Sequence, residues 1–237
     1  MLRDDLLTRL LNAVRYRSVC MSRVKEGQIP TREKLVDAAV RLMLKRGFVA
    51  TGVDDVCAEA GVTKGAFFHY FKSKEDIGVA ALQRWADFGM ALYAEAERLD
   101  ISSDPLVRVH KMLDIMTGFA QQPEECVCCL VGMFAQEMSF TNEHLREGSA
   151  KALADWTTYV AKLLKEAKDI HKPAIDFDVE GVAWFLNSIW QGSMLIGKTQ
   201  PDSTVVVQNL RYARDYVDSL FFGPKASEKT GSGKKSS

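Results

Sequence analysis

Between Gly47 and Lys74 the chain reads GFVATGVDDVCAEAGVTKGAFFHYFKSK. Its Lys64, Gly65, Phe68, His69 and Tyr70 fall on the outward side of a short helix whose inward side can hold only Phe67 and Phe71. Large aromatics beside a histidine and a lysine are costly on an exposed surface unless something binds them. The chemistry such a face offers is that of a polyanion reader, with donors for phosphates and base edges and a glycine that lets backbone come close. A second cluster, Cys126, Cys128 and Cys129, sits at the start of a predicted helix, where the macrodipole stabilises a thiolate and favours reaction with electrophiles or oxidants. Unreactive packing thiols are the plain alternative, and Cys57 belongs with them. Zinc is disfavoured, because C-x-C-C lacks the usual C-x-x-C loop and no histidine is near in sequence, so neither metal nor cofactor is expected.

The elements that position the first cluster are two short helices and a tight turn. Val53 to Ala60 turns Val53, Val56, Cys57 and Ala60 to one side. Gly61 ends it with positive φ, and Thr63 caps the next helix, Lys64 to Tyr70. Ser73 followed by Lys74, Glu75 and Asp76 reads as a further cap that aims first-turn amides and Lys74 outward. Upstream, Thr31 is placed as the cap of a helix ending at Gly47, with Leu35, Ala38, Ala39, Leu42 and Met43 at helical spacing.

Charge is distributed to match. The 237 residues carry no formal net charge, but residues 1–30 hold six basic and three acidic side chains and residues 31–76 eight and seven, a balance of +4. Residues 77–223 hold thirteen and twenty, and the tail from Pro224 adds +3, so the positive end is where the motif lies. No apolar run is long enough to cross a membrane and no secretory signal is present, which points to a soluble, cytoplasmic protein with reduced thiols. Nucleophile elbow, phosphate loop, dinucleotide fingerprint and paired metal-ligand motifs are all missing, so no catalytic residues are assigned and the chain is not read as an enzyme.

From Thr31 to about Leu82 the chain resembles the TetR family of transcriptional regulators: helix, Gly-aromatic pair, helix ending in Ala-Gly, Val-Thr-Lys-Gly, and an aromatic run closing in Phe-x-x-Lys. The resemblance implies an all-α protein with an N-terminal three-helix helix-turn-helix domain and a C-terminal helical domain for ligand binding and dimerisation. It implies boundaries at 1–30 (an extension, partly a basic arm), 31–76 (DNA-binding), 77–223 (effector and dimerisation) and 224–237 (a disordered tail). Carried over by position, Thr51, Thr63, Tyr70 and Lys74 fall on phosphates, and Lys64, Gly65 and His69 at or near base edges. Phe68 stands where the family usually has tyrosine, so stacking or methyl contact replaces a hydroxyl. The implied partners are a double-stranded DNA operator, a second copy of the chain and an unidentified small molecule, with no membrane. Cys129, Leu130, Gly132, Glu137 and Arg146 are further similar to a branch of the family that includes an N-ethylmaleimide-responsive repressor, which keeps open a thiol-sensing repressor using Cys129 and its neighbours. A helical enzyme or interaction module with a vestigial helix-turn-helix is the alternative of another class.

The remaining chain reads as helices throughout. An amphipathic stretch from Asp4 to about Arg17 precedes Met21, a second candidate start. Helices are expected from Lys74 to Leu99, Pro105 to Phe119, Val127 to Ser139, Asn142 to Lys168, Asp176 to Ile196 and Ser203 to Phe222. Trp85, Phe88, Met112, Met116, Phe119, Phe134, Trp156, Trp184 and Trp190 line an effector pocket or simply fill a core, with Asn187 and Gln191 the polar groups able to orient a ligand. The last two helices are apolar on more than one face. In the resembled family they pair with their copies, which puts Trp190, Leu210 and Val217 at a dimer interface.

Overall fold

The computed structural model describes residues 29–99, 104–122 and 128–223. Among them stand nine helices and no strand: α1 (Thr31–Arg46), α2 (Val53–Ala60), α3 (Lys64–Tyr70), α4 (Lys74–Leu99), α5 (Pro105–Ala120), α6 (Leu130–Met138), α7 (Glu143–His171), α8 (Val179–Gly197) and α9 (Thr204–Phe222). The stretch expected over Asp4 to Arg17, Cys126 and the tail from Pro224 lie outside the described residues.

Caps and breakers set most of these ends. Gly61 takes the left-handed conformation (φ 65°), its N–H donating to the Ala58 carbonyl and that of Val62 to the Cys57 carbonyl, the paired bonds that close a helix C-terminus. Two residues on, the Thr63 hydroxyl accepts from the Ala66 N–H and starts α3. Thr31 is not the cap it was expected to be. Pro30 supplies the extended residue before α1 and has no side-chain donor or acceptor, so Thr31 becomes the first helical residue. Similarly, α6 begins at Leu130 because Cys129 is still extended (φ −102°, ψ 111°), and α8 begins after Asp178, whose carboxylate accepts from the Glu180 and Gly181 amides. Past Lys168, α7 continues to His171 and stops at Lys172, which adopts positive φ (48°) immediately before Pro173.

The head, α1 to α3, is joined to the body at one point of tight geometry. Gly47 sits at φ 84° and ψ 170°, a region open essentially to glycine alone. The turn it makes exposes two amides. Glu137 of α6 accepts from the Phe48 N–H (2.7 Å) and the Val49 N–H (3.4 Å), and a Cβ on Gly47 would fall 2.1 Å from Glu137 Oε1. Phe48 meets Phe134 of α6 edge-on, with centroids 5.4 Å apart. On the other side, Lys74 at the start of α4 donates to the Val49 carbonyl (2.9 Å) and lies 4.5 Å over the Phe48 ring. Further along α4, Arg84 pairs with Asp37 (2.9 Å) and Glu33 (2.6 Å) of α1. Burial pushes the Asp37 carboxyl up, and the Arg84 guanidinium offsets that by favouring the charged form.

In the body, α7 packs against α4, α5, α6 and α8, while α9 covers α5 and α8. The buried apolar residues of head and body form one continuous core from Leu35 to Phe221. Among the described residues no helix is long and apolar enough to cross a membrane.

Replacing Gly47 with alanine should cost about 2 kcal/mol or more, from backbone strain together with displacement of the Glu137 carboxylate. Glu137→Ala removes the atom the new Cβ would strike. The double variant should therefore lose less than the two single losses added, measured by urea unfolding, and simple additivity would show that the two groups do not share a site.

Candidate nucleic-acid interface and ligand cavity

Seven residues are too few for a self-supporting helix, so α3 is held by Phe67, fully buried, and by Phe71 just after it. With that side committed, Lys64, Gly65, Phe68, His69 and Tyr70 are exposed together, His69 and Tyr70 in edge contact at 4.7 Å. Lys64 bonds to Asp54 of α2 (2.8 Å), both side chains largely in solvent. Thr63 accepts the capping bond, which leaves its own O–H to donate outward. A Cβ on Gly65 would meet nothing nearer than Thr63 Oγ1 at 3.8 Å. Nothing inside the protein therefore requires glycine there, although glycine inside a helix costs about 1 kcal/mol relative to alanine.

Two residues expected at phosphates have partners inside the protein. Thr51 is 0% exposed and its hydroxyl donates to the Gly47 carbonyl (2.7 Å), so its role is to close the turn after α1. Lys74 is half-buried on Phe48 and the Val49 carbonyl, bracing the joint. The sequence shows the Ser73 cap but cannot show that the ammonium folds back across it.

The cavity lies between α4, α5, α7 and α8, with a volume of about 140 Å³. Trp85, Phe88, Met116, Phe119, Trp156, Asn187 and Gln191 line it. Met112 is core, and Phe134 is not in the wall. Phe134 is fully buried against Phe48, because α6 turns it toward the head. Trp184 faces away too, 47% exposed on the outer side of α8. Trp190, expected at a dimer interface, turns inward and meets Phe119 with centroids 6.2 Å apart. Tyr93 was missed. It lines the cavity, stacks on Tyr159, accepts from Trp156 Nε1 (3.3 Å), and burial pushes its phenol up to about 12.

The other two expected interface residues are corrected likewise. Leu210 and Val217 are almost wholly buried within the chain, because α9 spends that stripe on α5 and α8. Outside, α8 presents Trp184, Phe185, Leu195 and Ile196, and α9 presents Tyr212 and Tyr216, with Phe185 edge-on to Tyr216 at 4.9 Å. Gly192 lies on this side of α8 with open space where a Cβ would be.

The described cysteines differ sharply. Cys57 is buried, which pushes its thiol up. Cys128 is buried and donates to the Leu44 carbonyl at 3.3 Å. Cys129 is half-buried, lines the cavity, and accepts from Gln191 Nε2 at 3.4 Å.

Comparison with known proteins bears on this geometry. Residues 35–81 match the model of bacterial regulatory proteins of the tetR family, and residues 105–213 match the tetracyclin repressor-like C-terminal domain. The transcriptional regulator AcuR of Cereibacter sphaeroides is 29% identical over 175 residues, 71% of this chain and 76% of that protein. The repressor DhaR of a Mycobacterium species is 28% identical over 174 residues, 71% and 83% of the two chains. Among solved structures, a regulatory protein TetR from Rhodobacter sphaeroides superposes with a TM-score of 0.70 at 27% identity, covering 78% of this chain and 97% of that one. The reduced form of Escherichia coli NemR gives a TM-score of 0.67 at 26% identity, covering 83% and 100%.

Exposure and thiol environment together order the three described cysteines. Brief treatment with iodoacetamide should label Cys129 at least about tenfold faster than Cys128 or Cys57, read by peptide mass mapping. Equal labelling of Cys128 would mean that its bond to α1 is not kept in solution.

Proposed function

The chain belongs to the TetR family of bacterial transcriptional regulators, and from that premise we propose that it is a repressor which binds a pseudo-palindromic operator as a homodimer and releases it when a small molecule enters the cavity. Residues 31–76 serve as the DNA-reading head, residues 77–223 as the effector and dimerisation domain, and the setting is the cytoplasm. One observation carries the DNA reading. A helix of groove-entering size presents Lys64, Phe68, His69 and Tyr70 side by side, around a glycine that no internal contact requires. In this reading Thr63 and Tyr70 hold phosphates, Lys64, Gly65 and His69 lie at base edges, and Phe68 makes apolar contact.

The dimer reading rests on the outer side of α8 and α9. Six large apolar side chains from Trp184 to Tyr216 stand in solvent on adjoining helices, a patch of the kind that a monomer rarely leaves open. Two copies joined there by a twofold axis would carry two heads, and binding both half-sites would demand a spacing of about one DNA turn, roughly 34 Å.

Release follows from the joint. Cys129, the residue before α6, lines the cavity, and α6 also carries Phe134 and Glu137, which hold the head. A ligand that favours one seating of α6 and α4 over another therefore biases the head's position. The accessible Cys129 thiol on the same path supports a second reading, in which an electrophile adds to it and produces the same shift. Mass spectrometry of released protein separates the two, since only the second needs an adduct.

In fluorescence anisotropy titrations with the DNA flanking its gene, Lys64→Ala or His69→Ala should weaken specific binding by at least about fivefold and relax base preference. If the triple variant Lys64→Ala, His69→Ala, Tyr70→Ala bound like the parent, this face would not be the reader. For assembly, Phe185→Glu with Tyr212→Glu should give monomers by sedimentation velocity and abolish tight operator binding, whereas a dimer that survives both charges would move the interface elsewhere.

A further inference from the structure

The cavity is specific about charge and about one hydrogen bond. Its walls are aromatic, chiefly Trp85, Phe88, Phe119, Trp156 and Trp190, and among the described residues lining it there is no lysine, arginine or histidine. The charged residues at its rim are Asp87 and Asp155, both exposed. Lys151 is near but spends its ammonium on Asp155. A carboxylate or phosphate entering here would lose its hydration with no cation to replace it, and an ammonium would lose its own with both rim carboxylates out in solvent, Asp155 already paired to Lys151 and Asp87 bonded by Gln83. The innermost space is small, and beyond it the site opens toward solvent. A cavity of 140 Å³ compares with the roughly 150 Å³ apolar cavity that holds one benzene.

Within these walls Asn187 is 3% exposed and its orientation follows from its partners. Its Nδ2 donates to the Leu153 carbonyl (3.1 Å) and to Thr157 Oγ1 (2.9 Å). A carbonyl can only accept, and Thr157 uses its single proton on that same Leu153 carbonyl (2.8 Å), so both positions demand the amide nitrogen. Oδ1 is then the polar atom that Asn187 offers to the cavity it lines, as an acceptor. Tyr93, whose oxygen already accepts from Trp156, keeps an O–H to donate.

We propose that the effector is an uncharged single-ring aromatic bearing an O–H or N–H donor, of the phenol or N–H heteroaromatic class, with that donor bonded to Asn187 Oδ1. This inference rests on the reading of the cavity as the effector site. It extends that reading by fixing ligand size, charge and the polarity of one contact.

The test compares near-isosteres on the full-length chain, using isothermal titration and quenching of tryptophan fluorescence. Phenol and toluene have almost the same shape, and an apolar cavity alone would prefer toluene. Here phenol should bind at least about tenfold tighter than toluene, since an unmet buried acceptor is penalised. Benzoate and benzylammonium should bind at least about tenfold more weakly than phenol. Asn187→Leu should reverse the order, so that toluene exceeds phenol; because that variant disturbs the Thr157 bond, the ligand series on the unaltered chain is decisive by itself. Toluene binding as well as phenol, or either ion matching phenol, overturns the proposed class and leaves the cavity as an effector site of another kind. If none of the four compounds binds, nor a two-ring probe such as naphthalene, the cavity is not the effector site and both readings fall.

Discussion

A carboxylate on α6 bonded to two backbone amides in the turn after α1 fixes how the head sits on the body. Glu137 can reach the Phe48 and Val49 amides only because Gly47 turns through φ 84° without a Cβ in the way. Around that contact the chain has gathered Phe134 against Phe48, Lys74 over the same ring, the Thr51 hydroxyl on the Gly47 carbonyl, and the Cys128 thiol on Leu44. No single one of these is strong. A hydrogen bond nets about 1 kcal/mol and a cation over a ring about as much or less, but α1, α4 and α6 converge here through nine residues and must shift together.

The fold was largely legible in the sequence because its ends are written in residues with one dominant use. Gly47 and Gly61 mark positive φ, Thr63 and Asn142 cap, and a period of 3.6 in the apolar residues does the rest. Where the reading missed, it missed by up to three residues at a helix end or by a face. Thr31 followed a proline, and nothing local says whether the cap is the proline or the threonine. Cys129 stayed extended, so that the helix expected from Val127 begins three residues later, at Leu130.

The site was half legible for a related reason. Periodicity separates the buried side of α3 from its exposed side, since only Phe67 and Phe71 can be inside, and it found most of the aromatic wall around the cavity. On α8 and α9, which are apolar on more than one face, periodicity says nothing about which apolar side is spent internally. Trp190, Leu210 and Val217 went inward and Trp184, Phe185 and Tyr212 outward, a choice made by α5 and α7. Long flexible side chains escaped as well. Lys74 reaches back to the Val49 carbonyl, 25 residues earlier, and no spacing rule foretells it.

The pairing of Lys64 with Asp54 has a consequence for how the head meets any polyanion. The carboxylate of α2 occupies the ammonium in the free protein, acting as an internal counterion. Any acceptor on an arriving polyanion must displace Asp54, not merely a mobile salt ion, so this lysine releases less bulk electrolyte on binding than a bare one would. Raising ionic strength screens the internal pair along with the external one, and the two losses partly cancel. In the proposed reading, such a head has a restrained appetite for arbitrary DNA and a gentler dependence on salt than its count of cations suggests.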